Sequence, residues 1–155
     1  MMDITKIINE RLIKLDLQAR TKDEAIEELA DLLEKDGALS SKEEFIKDVY
    51  AREEEGQTGL ENHVAIPHGK SAAVLKTSLT IGRTKHPLEW ETLDGKPVHV
   101  VILFAVRLVD RNTTHMKLLV QVASMLADEE VLERLMYEPN PARIMELFAS
   151  RESVS

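Results

Sequence analysis

The chain of 155 residues contains no cysteine. That excludes disulfides, thiolate metal sites and a cysteine nucleophile within it, and it suits a reducing compartment. Aromatic residues are scarce at 4%, so branched aliphatics and methionine must fill the core. A basic surplus is missing too: 20 Lys and Arg stand against 28 Asp and Glu, a formal charge of −8. A chain this acidic is a poor candidate for nucleic acid, where Lys and Arg must neutralise phosphates. The acidity serves solubility and suits encounter with a basic protein. Long apolar runs are also missing. The longest, Val98 to Val106, is interrupted by His99 and is too short to cross a bilayer. Met1 to Glu10 carries charges of both signs and lacks the apolar stretch of a signal peptide. These absences point to a soluble cytoplasmic protein that neither binds nucleic acid nor inserts into a membrane.

What is present suffices for one domain over residues 1–155, with 43% hydrophobic residues and no repeat, linker or low-complexity segment. Met1 to Glu10 reads as a short helix or an arm, and Leu12, Ile13, Leu15 and Leu17 as a first strand. Thr21 opens a helix with Glu24 three residues on, a capping box, and Gly37 closes it. Ser41 and Glu44 repeat the signature for a second helix, which runs into Arg52-Glu53-Glu54-Glu55-Gly56. A short apolar strand, Val64-Ala65-Ile66, precedes Pro67. Leu75 to Thr84 holds a further strand with Leu79 and Ile81 on one face, His86-Pro87 a break, and Asp94-Gly95 a turn. Val98 to Val106 reads as a central strand buried on both faces, with His99 as a structural or rim histidine. Thr113 or Thr114 caps a long helix that places His115 in its first turn. Asp128 begins another, and Pro141 suits the first position of the last, which Ile144, Leu147 and Phe148 dock. The fold class is α/β: a single domain with a mixed sheet of about five strands flanked by helices.

The chemistry centres on Pro67-His68-Gly69. Pro67 removes a backbone donor, so the ladder is expected to stop there. Gly69 is expected to adopt a conformation other residues resist. His68 then sits on a stiff support at the end of a strand. Gly69-Lys70-Ser71 echoes the tail of a phosphate-binding loop, but Val64 occupies the position of its first glycine, which excludes that motif. No Gly-x-Ser-x-Gly elbow exists. Beside a plain turn that happens to contain a histidine, two functional alternatives remain for His68. One is a metal site with His115 and a carboxylate; His63 is excluded from it, because on an extended segment it faces the opposite side. The other is a nucleophile: neutral imidazole has a free lone pair that can attack phosphorus. Arg52 can then supply a guanidinium fork, unless it only pairs with the acids that follow it. His115 near a helix N-terminus, Thr58 and the backbone around Gly59 can add donors.

Arg52-Glu53, Thr58-Gly59-Leu60, Ala65-Ile66-Pro67-His68-Gly69 and His115 before a Leu-rich helix resemble the enzyme IIA domain of the fructose–mannitol family. That family belongs to the bacterial phosphoenolpyruvate-dependent sugar phosphotransferase system. The resemblance runs from the Thr21 helix to the last helix. It implies that His68 is the phosphoryl acceptor, through its tele nitrogen, that His115 assists at the phosphate, and that Arg52 stabilises its charge, with Thr58 and Gly59 on the substrate side. It implies phospho-HPr as donor, a cysteine of a IIB component as acceptor and a membrane IIC beyond it, with no ATP, cofactor or metal. Without a cysteine or a membrane segment the chain looks like a stand-alone IIA. Its expected role is sugar uptake, fructose-type favoured; the alternative is a nitrogen-type regulatory IIA that binds other proteins according to its phosphorylation. One departure stands out. Many relatives have glycines where this chain has Glu61, Asn62 and His63. A carboxylate beside His68 raises its pKa and opposes a phosphate, unless Glu61 points to solvent.

Overall fold

The computed structural model describes residues 4–110 and 113–152. In chain order the elements are β1 (Ile13–Lys14), α1 (Lys22–Lys35), α2 (Lys42–Glu55), β2 (Val64–Ala65), β3 (His68–Ser71), β4 (Ser78–Leu88), β5 (Val98–Arg107), α3 (Thr113–Met125), α4 (Glu129–Tyr137) and α5 (Pro141–Glu152). Short 3-10 turns at Ile4–Lys6 and Glu10–Leu12 precede β1, which is only two residues long where a longer first strand was expected. The helix starts follow the local signals. Thr21 and Ser41 accept from the backbone N–H of Glu24 and Glu44, and Asp128 from that of Glu130. Pro141 is the first residue of α5, where its missing N–H costs nothing. The cap of α3 falls on residues outside those described.

The five strands form one mixed sheet. β4 and β5 pair antiparallel as its centre, β1 lies parallel to β4, and β2 and β3 both lie parallel to the other edge of β5. Side chains of β5 alternate across the sheet. Val100, Ile102, Phe104 and Val106 join Leu118, Val122, Val131, Leu135, Ile144 and Phe148 of α3 to α5. Val101, Leu103 and Ala105 join Ile26, Leu29 and Leu33 of α1 and Phe45 and Val49 of α2. The near-continuous apolar run of β5 is therefore the middle of a three-layer sandwich, buried on both faces.

Two expectations about strand ends need correction. His86-Pro87 is no break: β4 runs through it to Leu88. Pairing with β5 lapses between Arg83 and Leu88 and resumes at Leu88 opposite Val98. Pro87 sits in that lapse, where no ladder N–H is required. Likewise Pro67 interrupts the ladder but does not end it. Val64 and Ala65 pair with Val100 and Val101, and His68 to Ser71 pair with Phe104 to Arg107 in the same register. The carbonyl of Pro67 still accepts from Phe104 N–H at 3.0 Å, and the N–H of Ile66 turns away from β5 to the carbonyl of Thr58 at 2.9 Å. His68 therefore opens a strand at the sheet edge instead of hanging off the end of one.

Candidate active site

His68 is buried, 5% exposed, at the start of β3. Residues 64, 66 and 68 alternate onto the face covered by α3 to α5, where Val64 and Ile66 pack. Residue 69 takes the opposite face, against α2. A Cβ on Gly69 would lie 2.9 Å from both Phe45 Cε1 and Val49 Cγ2. The glycine is thus required by close helix–strand approach, not by the special backbone conformation expected of it. That approach brings the C-terminal turn of α2 to the imidazole. Arg52 Nε donates to His68 Nε2 at 3.1 Å, and Arg52 Nη1 donates to the carbonyl of Gly56 at 3.0 Å. Gly56 is the helix C-cap, so the guanidinium is tethered to its own helix end.

This geometry decides the tautomer. A guanidinium N–H can only donate, so Nε2 must accept and the ring proton must reside on Nδ1. Nδ1 lies 3.3 Å from the carbonyl oxygen of Ile66, to which it donates. Burial pushes the His68 pKa below its ordinary value, against the opposing effect of the Ile66 hydrogen bond. The positive charges of Arg52 and Lys70 push it further down, and Glu53 pulls it back up. The imidazole is neutral near pH 7, with the lone pair of Nε2 under the Arg52 fork. A nitrogen with a free lone pair faces a cation of the kind that can hold oxyanions.

The acids after Arg52 do not capture it. Glu53 is taken by Lys22, whose Nζ lies 2.8 Å from Oε1, and by Thr58, whose hydroxyl donates to both carboxylate oxygens at 3.0 and 2.7 Å. Lys22 also lies 4.9 Å from the ring centre of Trp90. Reading the sequence missed Glu53 and Lys22 as parts of the site. The only local signal was that Glu53 follows Arg52; Lys22, thirty-one positions earlier, carries none. Gly59 is packed face-on against the 91–92 segment, where a Cβ would lie 2.2 Å from the carbonyl oxygen of Glu91. Glu61 is exposed, and the carboxylate that acts on His68 is Glu53.

His115 is the third residue of α3, on the face of the sheet that residues 64 to 68 address; its side chain lies outside the described residues. His63 occupies a left-handed turn, φ 69° after Asn62 at φ 60°, so the strand alternation used to place it does not apply. Its ring stands edge-on to His99 at 5.5 Å, with Nδ1 2.8 Å from the carbonyl of Pro97. His99 is held at 3.0 Å from the carbonyl of Thr84, a structural placement. Among the described residues no group of three or more His, Asp or Glu is placed to hold a metal ion, and no helix is long and apolar enough to cross a membrane.

Comparison with known proteins now bears on this arrangement. The 2-O-alpha-mannosyl-D-glycerate-specific EIIABC component of the PTS system of Escherichia coli (strain K12) is 35% identical over 94% of this chain, which spans 22% of that protein's length. The crystal structure of nitrogen regulatory protein IIA-Ntr from Neisseria meningitidis superposes with a TM-score of 0.84 at 30% identity, covering 94% of this chain and 98% of that one. Enzyme IIA-Mtl of Escherichia coli, solved in complex with phosphorylated enzyme IIB-Mtl, superposes with a TM-score of 0.77 at 27% identity, covering 92% of this chain and 97% of that one. The family model described as phosphoenolpyruvate-dependent sugar phosphotransferase system, EIIA 2, matches residues 6–151, and the chain belongs to that family.

Proposed function

We propose that the protein is a phosphocarrier that holds a phosphoryl group on His68 Nε2. The observation that carries this reading is the 3.1 Å hydrogen bond from Arg52 Nε to Nε2 of a buried, neutral imidazole. In the forward step the Nε2 lone pair attacks phosphorus of phospho-HPr. The new N–P bond forms as the donor's P–N bond breaks, and that electron pair returns to the donor nitrogen. Arg52 must leave Nε2 as phosphorus arrives, and its N–H groups then fall on the equatorial oxygens, where charge accumulates. Nδ1 keeps its proton and its bond to Ile66 throughout. In the second step a cysteine thiolate of a IIB component attacks phosphorus, and the electron pair returns to Nε2. His115 assists at the phosphate, with Thr58 and Gly59 on the substrate side.

The role we favour is sugar uptake, fructose-type on the strength of the Ala-Ile-Pro-His-Gly motif, with a membrane IIC component selecting the sugar. A second reading, a nitrogen-type regulator, is favoured by the IIA-Ntr superposition over nearly the whole of both chains. The test of the carrier step is direct. The protein is mixed with phosphoenolpyruvate, enzyme I and HPr, and its intact mass and peptide map are taken at alkaline pH. Gain of one phosphoryl group on His68, lost in H68A, is expected. No gain while a control IIA is labelled overturns the reading. Transfer onward to a IIB cysteine then separates uptake from regulation.

A further inference from the structure

The last turn of α2 controls both nitrogens of His68. Arg52 reaches Nε2 directly. Glu53, the next residue, reaches Nδ1 through a chain of bonds. Its carboxylate is clamped between Lys22 Nζ at 2.8 Å and the hydroxyl of Thr58 at 2.7 Å. The main-chain carbonyl of Thr58 accepts from Ile66 N–H at 2.9 Å. The carbonyl of the same Ile66 accepts from His68 Nδ1 at 3.3 Å. Residues 58 to 60 are bridged to residues 64 to 66 by Gly59 opposite Ala65 and by Leu60 N–H to the Val64 carbonyl at 2.8 Å. The Glu53 side chain is 7% exposed and Thr58 3%. A carboxylate buried this deeply is retained only with charge and hydrogen-bond partners, and Lys22 and Thr58 are those partners.

We infer that Glu53, with Lys22 and Thr58, is a positioning residue that holds the Ile66 carbonyl on His68 Nδ1 and so, together with Arg52 on Nε2, makes Nε2 the nitrogen that accepts the phosphoryl group. The inference rests on the carrier reading of His68. By strand alternation Ile66, like Val64, turns its N–H and carbonyl away from β5, and at Pro67 the ladder donor is missing. The residue whose carbonyl orients His68 is therefore anchored through its N–H by the Thr58 segment. Without Glu53 the Thr58 segment loses its tie to α2. The Ile66 carbonyl then drifts, and the imidazole samples the tautomer with its proton on Nε2, which has no lone pair for phosphorus.

The test reads the tautomer in the full chain without any phosphate. Long-range proton–nitrogen NMR spectra of the His68 ring are recorded at pH 8 for the wild type, E53A, T58V and T58S. Transfer rates from phospho-HPr and the phosphorylated nitrogen are measured on the same samples. Wild type and T58S are expected to show the Nδ1–H tautomer alone. E53A and T58V are expected to show mixed tautomers and transfer slowed about 10–100-fold, with the native amide spectrum retained. A wild-type ring protonated on Nε2 overturns the inference. So does an E53A or T58V chain that keeps both the wild-type tautomer and the wild-type rate. Should one variant fail to fold, the other and the wild-type tautomer still decide. A wild type with the expected tautomer that takes no phosphoryl group overturns the carrier reading and leaves the positioning relationship standing.

Discussion

Arg52 Nε and His68 Nε2 lie 3.1 Å apart, donor to lone pair, although sixteen residues separate them in the chain. In the proposed carrier role the contact covers the nucleophile at rest and keeps a guanidinium beside the arriving phosphoryl group. Replacing Arg52 by alanine is expected to slow phosphorylation of His68 by roughly 10²–10³-fold, the usual scale for losing a preorganised donor in a charge-stabilising site. R52K keeps a charge but not the planar fork, and is expected to recover only a part of this. Because Arg52 holds the His68 pKa down, R52A should also move the imidazole titration upward, as NMR can follow. An unchanged rate in R52A removes the residue from the mechanism.

The pH profile follows from the depressed pKa of His68. Its ordinary value is 6.5, and burial places the folded-state value lower. Phosphorylation of His68 should therefore change little from pH 8 to 7 and reach half its rate only below pH 6.5, as the lone pair is lost to a proton. The stability sign agrees. The unfolded chain takes up this proton first, so the contribution of His68 is present above 6.5 and is lost as the pH falls through the folded value. Single-turnover rates between pH 5 and 8 check the first point. A profile that already falls between pH 8 and 7 contradicts it.

Close packing at two glycines predicts which substitutions the fold rejects. G69A places a Cβ at 2.9 Å from Phe45 and Val49, whose side-chain ends can shift. A cost of about 1–3 kcal/mol is expected, partly restored by V49A. G59A meets the backbone carbonyl of Glu91 at 2.2 Å, which cannot give in that way. It should cost more and disturb the Thr58 segment as well. Denaturant unfolding of the two variants decides the order.

Asp36 ties three separate segments together. Its buried carboxylate, 3% exposed, accepts from Arg11 at 2.9 Å and Lys76 at 3.1 Å, with Asn9 at 3.4 Å. Burial pushes its pKa up, but the bonds from Arg11 and Lys76 outweigh this and hold it below the ordinary 3.8. D36A removes the buried end of those bonds and leaves Arg11 and Lys76, both largely exposed, to solvent, so a cost of about 1 kcal/mol is expected. The contribution is full above 3.8 and is lost as the pH falls through the lower folded value. Wild type and D36A should therefore converge in stability in strong acid and separate near neutrality, as urea unfolding at pH 3 and 7 measures.

Much of the architecture is local in origin, and so it was legible in the residues. Thr21, Ser41 and Asp128 cap their helices because a side-chain oxygen two or three residues away meets orphan N–H groups. The run Val98 to Val106 announced a strand buried on both faces, and Pro67-His68-Gly69 marked the candidate position. Where local rules failed, a neighbour in space overrode them. Pro87 continues a strand because pairing lapses around it. His63 escapes strand alternation because Asn62 and His63 take left-handed backbone.

The sequence by itself determined the fold class, the family resemblance and the choice of His68, since these depend on residue types and spacings within a few positions. Only the tertiary structure decided what surrounds His68. The packing of Phe45 and Val49 onto Gly69 brings the end of α2 to the sheet edge. That single approach sets Arg52 on Nε2, assigns Glu53 to Lys22 and Thr58 instead of to its neighbour Arg52, and hands Ile66 the proton of Nδ1. The physical reason is that a charged side chain takes its partner by distance and burial. Both are set by how helix and strand pack, and neither is written in the order of residues.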